Sequence, residues 1–194
     1  MAPLRFGRAS LLRLGAGASL GAMVVVAPQL LNGARLPCAA MADETPPAIV
    51  ELAVHETYDL RWRVLRDGTP SDDVAYPEDT EPGTFHLGAR DGDGTPIATA
   101  TFCVVATPAR PGASAVQLRG MAVDPAAQQR GVGRHLVLSA IERVRADGVD
   151  VLWASARDTA LGFYERLGME VVGDGYLTDD TQLPHHVVVL DLAR

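Results

Sequence analysis

The 194 residues contain no lysine, so all 17 basic side chains are arginines. Without a Gly-Lys-Ser/Thr step there is no Walker-type phosphate loop. Cysteine is nearly missing as well: Cys38 and Cys103 are the only two. They fall on either side of a sharp change in composition at Met41, so the larger part of the chain holds one thiol and no internal disulfide. One thiol and five scattered histidines give no metal-ligand spacing, and no metal is expected. Cys103 sits in an apolar run and reads as a small buried side chain rather than a nucleophile. Long apolar runs are also lacking. The best, Leu14 to Leu31, is 18 residues with three glycines and Pro28, short of the ~20 that span a bilayer. The first 41 residues lack acid altogether: they hold Arg5, Arg8, Arg13 and Arg35, whereas all 24 acidic residues and the other 13 arginines follow, a balance of −11 against −7 for the whole chain. An acidic body argues against nucleic acid as the main partner, because phosphate contacts need a basic face.

Residues 1–41 therefore read as an extension and 42–194 as one domain, of a length that buries roughly 70% of the extended chain's surface in one core. Three readings of the extension stay open. A signal peptide would have this basic start, the apolar run and Ala40-Met41-Ala42 as a small-x-small cleavage site, with Arg35 and Pro37 awkwardly placed between. A transit peptide would be arginine-rich and acid-poor in this way. In the third reading Met41 is the functional start. The single thiol of the domain suits a reducing cytoplasm; a targeting role for the extension would instead mean export or an organelle.

What is present centres on Met121 to Leu136. An apolar strand, Val116 to Val123, is stopped by Asp124-Pro125, which turns the chain and cannot continue a ladder. A polar run then leads to Gly131-Val132-Gly133, after which Leu136, Val137, Ala140, Ile141 and Val144 recur at helical spacing. Two glycines at a helix start let the backbone turn tightly and let an anion approach free N–H groups where the peptide dipoles favour negative charge. Arg130 and Arg134 flank the turn. A plain strand-to-helix turn would give the same pattern. A dinucleotide fingerprint is excluded, since Leu136 stands at the third glycine and no acidic residue ends a strand about 20 residues on.

The spacing Gln128-x-x-Gly131-x-Gly133 resembles the acyl-coenzyme A motif of the GNAT superfamily of N-acetyltransferases. Some thirty residues later, Ala160-Leu161-Gly162-Phe163-Tyr164-Glu165-Arg166-Leu167-Gly168-Met169 resembles a second segment of that family, A-x-x-F-Y-x-x-x-G-F. Two spaced motifs in the right order outweigh either alone, and the likeness runs over most of residues 49 to 192. It implies an α/β (α+β) domain: a mixed, mostly antiparallel sheet of six to seven strands with a splayed central parallel pair, flanked by helices. It implies acetyl-coenzyme A as co-substrate and an amine acceptor, small molecule or protein, with direct transfer in a ternary complex. The implied coenzyme contacts are Met121, Ala122, Val123, Gln128, Gln129, Arg130, Gly131, Val132, Gly133, Arg134, Ser155, Phe163 and Tyr164. Ser155 departs from the pattern, standing where many relatives have an asparagine. Tyr164 matches the family's usual acid; an unperturbed tyrosine near 10 can protonate a thiolate whose thiol lies near 8.5. A non-catalytic acyl-coenzyme A sensor of the same fold, or an enzyme with another donor or a hydroxyl acceptor, would share these motifs. A monomer and a homodimer both remain open, and no membrane span is expected.

The remaining elements follow from periodicity. Ala48 to Val54 reads as a strand and His55 to Arg66 as a helix with Tyr58, Trp62 and Leu65 on one stripe. The arginine-dense run Leu60 to Arg66 reads as a solvated face, or else sends one arginine inward to an acceptor. Asp67 to Gly83 reads as a long functional loop. Phe85 to Arg90 and Pro96 to Val105 form a hairpin about Asp91-Gly92-Asp93-Gly94. Near Gly120 the alternation slips, which a bulge or a fully buried strand would explain. A helix over Val132 to Ala146 followed by a strand from Val149 to Ala154 makes a parallel βαβ unit. Asp158 is expected to cap a helix from Thr159 to Leu167, with Gly168 ending it. The general base is not fixed: His86 and His185 are candidates, Glu51 a weaker one, and water an alternative.

Overall fold

The computed structural model describes residues 46–192. The expectations for residues 1–41, and the choice of 42 as a boundary, lie outside the described residues. Seven strands form one mixed sheet in the order β1-β2-β3-β4-β5-β7-β6: β1 Ile49–Glu51, β2 Phe85–Arg90, β3 Pro96–Val104, β4 Ala115–Val123, β5 Val151–Arg157, β6 Glu170–Leu177 and β7 Pro184–Asp191. Only β4 and β5 run parallel; every other pair is antiparallel. The helices are α1 Val54–Leu60, α2 Val132–Ala146 and α3 Leu161–Glu165.

Alternation along β2 and β3 decides what lies on each face of the sheet. Phe85, Leu87, Ala98, Ala100 and Phe102 belong to the main core with Leu136, Val137, Ala140 and Val144 of α2, the helical stripe expected from the sequence. His86, Thr99 and Thr101 alternate with them and face the other way, where they are equally buried. That second face receives Leu52, Thr57, Leu60 and Arg61. Gly88 makes room there, since a Cβ would stand 2.3 Å from Leu52 Cδ1 and 2.4 Å from the Ala98 carbonyl oxygen.

The first helix departs from expectation. After Leu60 the chain continues as a π-helical turn, Arg61–Leu65, whose i→i+5 bonding inserts an extra residue and rotates the face that follows. Trp62, expected on the buried stripe, is 55% exposed, while Arg61 is fully buried. The solvated-face reading therefore fails at Arg61, which forms two bonds to the Asp79 carboxylate, 2.7 and 2.8 Å. Asp79 sits in a short 3₁₀ turn, Pro77–Thr80, so the segment 67–83 is only partly loop.

β4 carries the bulge. On β3, Thr99 and Thr101 are two steps apart, yet their partners Ala122 and Arg119 are three apart. Gly120 sits within the extra step at φ +59°, and a Cβ there would lie 2.8 Å from Tyr76 and 2.9 Å from Arg61 Nε. Beyond it, β4 and β5 part. Their ladder runs from Ala115↔Val151 to Leu118↔Ala154 and stops, while β4 stays with β3 to Val123↔Ala98 and β5 stays with β7 to Arg157↔His185. A wedge opens between the two parallel strands.

α3 is shorter than expected, preceded by a 3₁₀ turn, Asp158–Ala160. Asp158 does not cap it: the cap position of α3 is Ala160 and that of the 3₁₀ turn is Arg157, while the Asp158 carboxylate lies 2.8 Å from His186 Nδ1. Gly168 does end the segment in the left-handed region, φ +83°.

Candidate active site

The wedge is the mouth of a cleft of about 1050 Å³ lined by β4 beyond Leu118, the start of α2, the end of β5, α3, the π-helical turn and the start of β7. All the expected coenzyme contacts line it except Arg130.

On one wall the backbone is offered to a ligand. The Asp124 N–H bonds the Ile97 carbonyl at 2.8 Å, so by strand alternation the N–H of Val123 points the other way, toward the gap β5 has vacated. Asp124 is pinned there: its carboxylate accepts from the Ala126 N–H at 2.9 Å and from Arg63 at 2.9 Å. Gln128 folds back, its amide donating to the Val123 carbonyl at 3.0 Å, so its side chain braces the turn while its backbone faces the cleft.

At the far end of that wall α2 begins. Gly131 is left-handed, φ +80°, with open space around it. Gly133 is needed for closeness instead: a Cβ would stand 3.0 Å from Met121 Cε and 3.3 Å from Val123 Cγ2. The first turn of this 15-residue helix has no side-chain cap and presents its N–H groups at the cleft. Arg134 and Arg166 also line the cleft. This cradle fits a pyrophosphate. Arg166 was not singled out in the sequence; its place in the second motif was the available signal.

Tyr164 is 6% exposed, and its hydroxyl has only a long contact to Met121 Sδ, 3.9 Å. Burial pushes its phenol up to about 12, so it is an un-ionised donor throughout the neutral range. Ser155, on the splayed end of β5, is within 2.5 Å of the Tyr176 hydroxyl.

Of the candidate bases the structure separates one from the rest. His185 lines the cleft. Its Nδ1 lies 2.8 Å from the Leu183 carbonyl oxygen, which can only accept, so Nδ1 carries the hydrogen and Nε2 keeps its lone pair. His86 is not at the cleft. Its Nε2 donates to the Asp79 carbonyl at 3.1 Å and its Nδ1 accepts from Thr101 at 2.7 Å, leaving no lone pair for a substrate. Burial first, and Arg61 nearby, pull its imidazole below the usual range despite the Asp79 contacts. Glu51 is likewise elsewhere, exposed on β1 and paired with Arg143 at 3.0 Å.

The Acetyltransferase (GNAT) family profile matches residues 53–169, which contain the wedge, the glycine turn and α3. The chain belongs to this GNAT acetyltransferase family. An uncharacterized N-acetyltransferase of Bacillus subtilis (strain 168), YitI, is 33% identical over 143 residues, covering 74% of this chain and 94% of that protein. Similar solved structures include an acyl-CoA N-acyltransferase from Pseudomonas aeruginosa, TM-score 0.59 and 22% identity over 73% of this chain and 97% of the other. Another is an aminoglycoside 6'-N-acetyltransferase complexed with coenzyme A, TM-score 0.59 and 14% identity over 76% of this chain and 98% of the other. The protein is thus a GNAT acetyltransferase with the family's seven-stranded mixed sheet.

The pairings of the arginines in the rest of this acetyltransferase's cleft were not legible in the sequence. Arg66 is buried, donates from Nε to the Asp73 carbonyl at 2.5 Å and pairs with Asp180 at 3.1 Å. Arg119 pairs with Glu78 at 2.6 Å and stacks over Tyr76, 4.2 Å from the ring centre. Arg157 donates to the Leu65 carbonyl at 2.5 Å. Five arginines line the cleft against one carboxylate, Asp180, the reverse of the chain's overall −7. Among the described residues no group of three or more His, Cys, Asp or Glu could hold a metal ion, and no helix is long and apolar enough to cross a membrane.

Proposed function

We propose that the protein moves the acetyl group of acetyl-coenzyme A to a primary amine by direct attack, with both substrates in the cleft together. The observation that carries this reading is the wedge: it turns the Val123 N–H of β4 toward the gap, between an anion cradle at Gly131 to Arg134 and a buried hydroxyl at Tyr164. In this reading the pyrophosphate sits on the N–H groups at the start of α2, and the pantetheine arm pairs with β4. The thioester carbonyl faces the Val123 N–H, which would stabilise charge on oxygen as an oxyanion-hole donor does.

Chemistry needs a neutral amine. His185 Nε2 takes a proton from the acceptor, the C–N bond forms, the C–S bond breaks, and the sulfur leaves as thiolate. With Tyr164 pushed up to about 12 and a thiol near 8.5, complete proton transfer from Tyr164 to sulfur is uphill at about 1.4 kcal/mol per pH unit. Tyr164 therefore acts chiefly as a hydrogen-bond donor to the departing thiolate, which water then protonates. This changes the role expected from an unperturbed tyrosine.

Tyr164→Phe tests the assignment. The ring is retained, and with it the edge contact to Phe163, 5.1 Å between centres. Losing one donor to a developing charge should lower kcat by about 10²-fold, with acetyl-coenzyme A affinity within about threefold. A kcat within twofold of the parent, where chemistry limits the rate, would show Tyr164 to be a packing residue. A folded parent that binds coenzyme A but acetylates no amine would favour the sensor reading.

A further inference from the structure

Seven of the arginines described hold a carboxylate: Arg61, Arg63, Arg66, Arg90, Arg110, Arg119 and Arg143. Arg157 is different. It stands at the last position of β5, lines the cleft and is partly buried, yet among the described residues no carboxylate comes within ion-pair distance of it. Its one hydrogen bond goes to a neutral acceptor, the Leu65 carbonyl, which leaves most of its five N–H donors unspent. Burial first, then the neighbouring Arg66 guanidinium, pull it below arginine's ordinary range, outweighing Tyr76 and Asp180. It remains a cation, held at a cost that a bound anion would offset.

Its neighbours place it at the acceptor end, away from the glycine turn. Leu65, which it bonds, and Arg66, Tyr76 and Asp180, whose charges it feels, all line the cleft, and none belongs to the glycine turn or to α2. Its partner across the β5–β7 ladder is His185, and side chains so paired stand about 5 Å apart at Cβ. A cation without a partner and an imidazole with a free lone pair thus project side by side. Apart from Arg134 of α2 and Arg166 at the end of α3, the cleft's arginines are Arg66 and Arg119, which already hold Asp180 and Glu78, and Arg157, so one fork is left at this end. One guanidinium fork matches one carboxylate in a bidentate pair; a phosphate dianion would call for a second uncommitted cation.

We propose that the acceptor is an amine carrying a carboxylate a few bonds away, an amino acid in chemical class, and that Arg157 grips the carboxylate while the amine lies beside His185. This rests on the transfer reading above for the identity of the amine, but the anchor itself can be tested without turnover.

In the first arm, the full chain is assayed for thiol release from acetyl-coenzyme A with common amino acids and with their C-terminal amides. The free carboxylates should be preferred at least about tenfold in kcat/KM, entering through KM, as expected for hydrogen bonds to a charged group. In Arg157→Met that ratio should fall to near one, and Arg157→Lys should keep part of it. A ratio is insensitive to general damage, which would lower both acceptors together. In the second arm, binding of N-acetyl amino acids and of their amides to the coenzyme A-loaded protein is measured by calorimetry, again with the parent and Arg157→Met. If no amine is acetylated but the carboxylates bind more tightly and Arg157→Met removes the difference, the transfer reading falls and the anchor stands. Equal binding of carboxylates and amides by the parent, or a preference that survives Arg157→Met, overturns the anchor whatever the turnover.

Discussion

Gly133 shows how one missing side chain shapes the coenzyme end of the cleft. A Cβ there meets the flexible tip of Met121 at 3.0 Å, so a small substitution is absorbed by moving that methyl group into the cleft. Gly133→Glu adds a carboxylate at the start of α2, in the place proposed for pyrophosphate, where repulsion at short range in a partly dry site is strong. The expected outcome is loss of measurable coenzyme A binding by calorimetry with the far-UV signal of the fold unchanged; a folded variant with parental affinity would remove the cradle from the site. This residue was legible in the sequence because its meaning is local: glycines just before a helical stripe need no knowledge of the rest of the chain. Arg157 was not legible, because what distinguishes it is the absence of a carboxylate near it in space. His86 misled for the same reason: its two nitrogens are spent on Thr101 and Asp79, partners that only the folded sheet brings together.

Between α1 and β4 the π-helical turn works as a bracket. At its start Arg61 lies one helical turn from Thr57 on the buried face of α1, so its side chain points inward, where the guanidinium holds Asp79 at 2.7 Å, the Val74 carbonyl at 2.8 Å and Thr101 at 2.5 Å. Thr101 in turn donates to His86. The bracket fixes the segment that brings Tyr76 to the cleft and Glu78 to Arg119. Burial alone would raise the Asp79 carboxyl, but the bonds from Arg61 and the Tyr76 N–H outweigh it and hold it below its usual range. A depressed carboxyl contributes stability that is present at neutral pH and is lost as pH falls below the unfolded value of 3.8. Arg61→Met should therefore leave Asp79 buried and unpaired, at about 3–5 kcal/mol in urea unfolding at neutral pH, and that deficit should shrink at low pH. A loss under about 1 kcal/mol would show the pair to be dispensable. The regular helix periodicity in this stretch was read from the sequence, and it placed Trp62 inside. The face that is buried, Thr57, Leu60 and Arg61, keeps helical spacing but is mostly polar, so the apolar stripe of Tyr58, Trp62 and Leu65 was the one that hydrophobic spacing showed. The bulge at Gly120 was legible because a break in two-residue alternation beside a glycine is itself a local sign.

At the scale of the whole sheet, one face packs on α2 and the other on α1, and burial raises two acids, Cys103 despite the nearby Arg119 and Arg61 guanidinium groups. Burial pushes the Cys103 thiol from 9.0 up to about 11 and the Tyr164 phenol from 10.0 up to about 12. Both folded values lie above the unfolded ones, so the unfolded chain gives up these protons first. Stability is fully present below pH 9 and declines as pH rises, first through Cys103 and past pH 10 through both. Each is worth up to about 3 kcal/mol at 1.4 kcal/mol per pH unit. Cys103→Ala should flatten the decline between pH 9 and 10 in denaturant titrations, and parallel curves for parent and variant in that interval would contradict it. The class of the sheet was anticipated from the family likeness, and the β2–β3 hairpin and the parallel β4–β5 pair from turn and crossover signals. The register that sets Arg157 against His185 was not, since β7 lies almost thirty residues beyond β5 and its pairing depends on the folded edge.

The exposed indole left by the π-helical turn makes the protein its own optical probe. There are two tryptophans. Trp153 is 8% exposed on β5, its indole N–H bonded to the Val105 carbonyl at 2.9 Å, and should emit at short wavelength. Trp62, open to water in the same turn as Arg66, should emit at long wavelength. A ligand in the shallow pocket that Trp62 lines with Arg66 and Asp67 would then shift or quench the red part of the spectrum and leave the blue part alone. Trp62→Phe should abolish that response without abolishing binding.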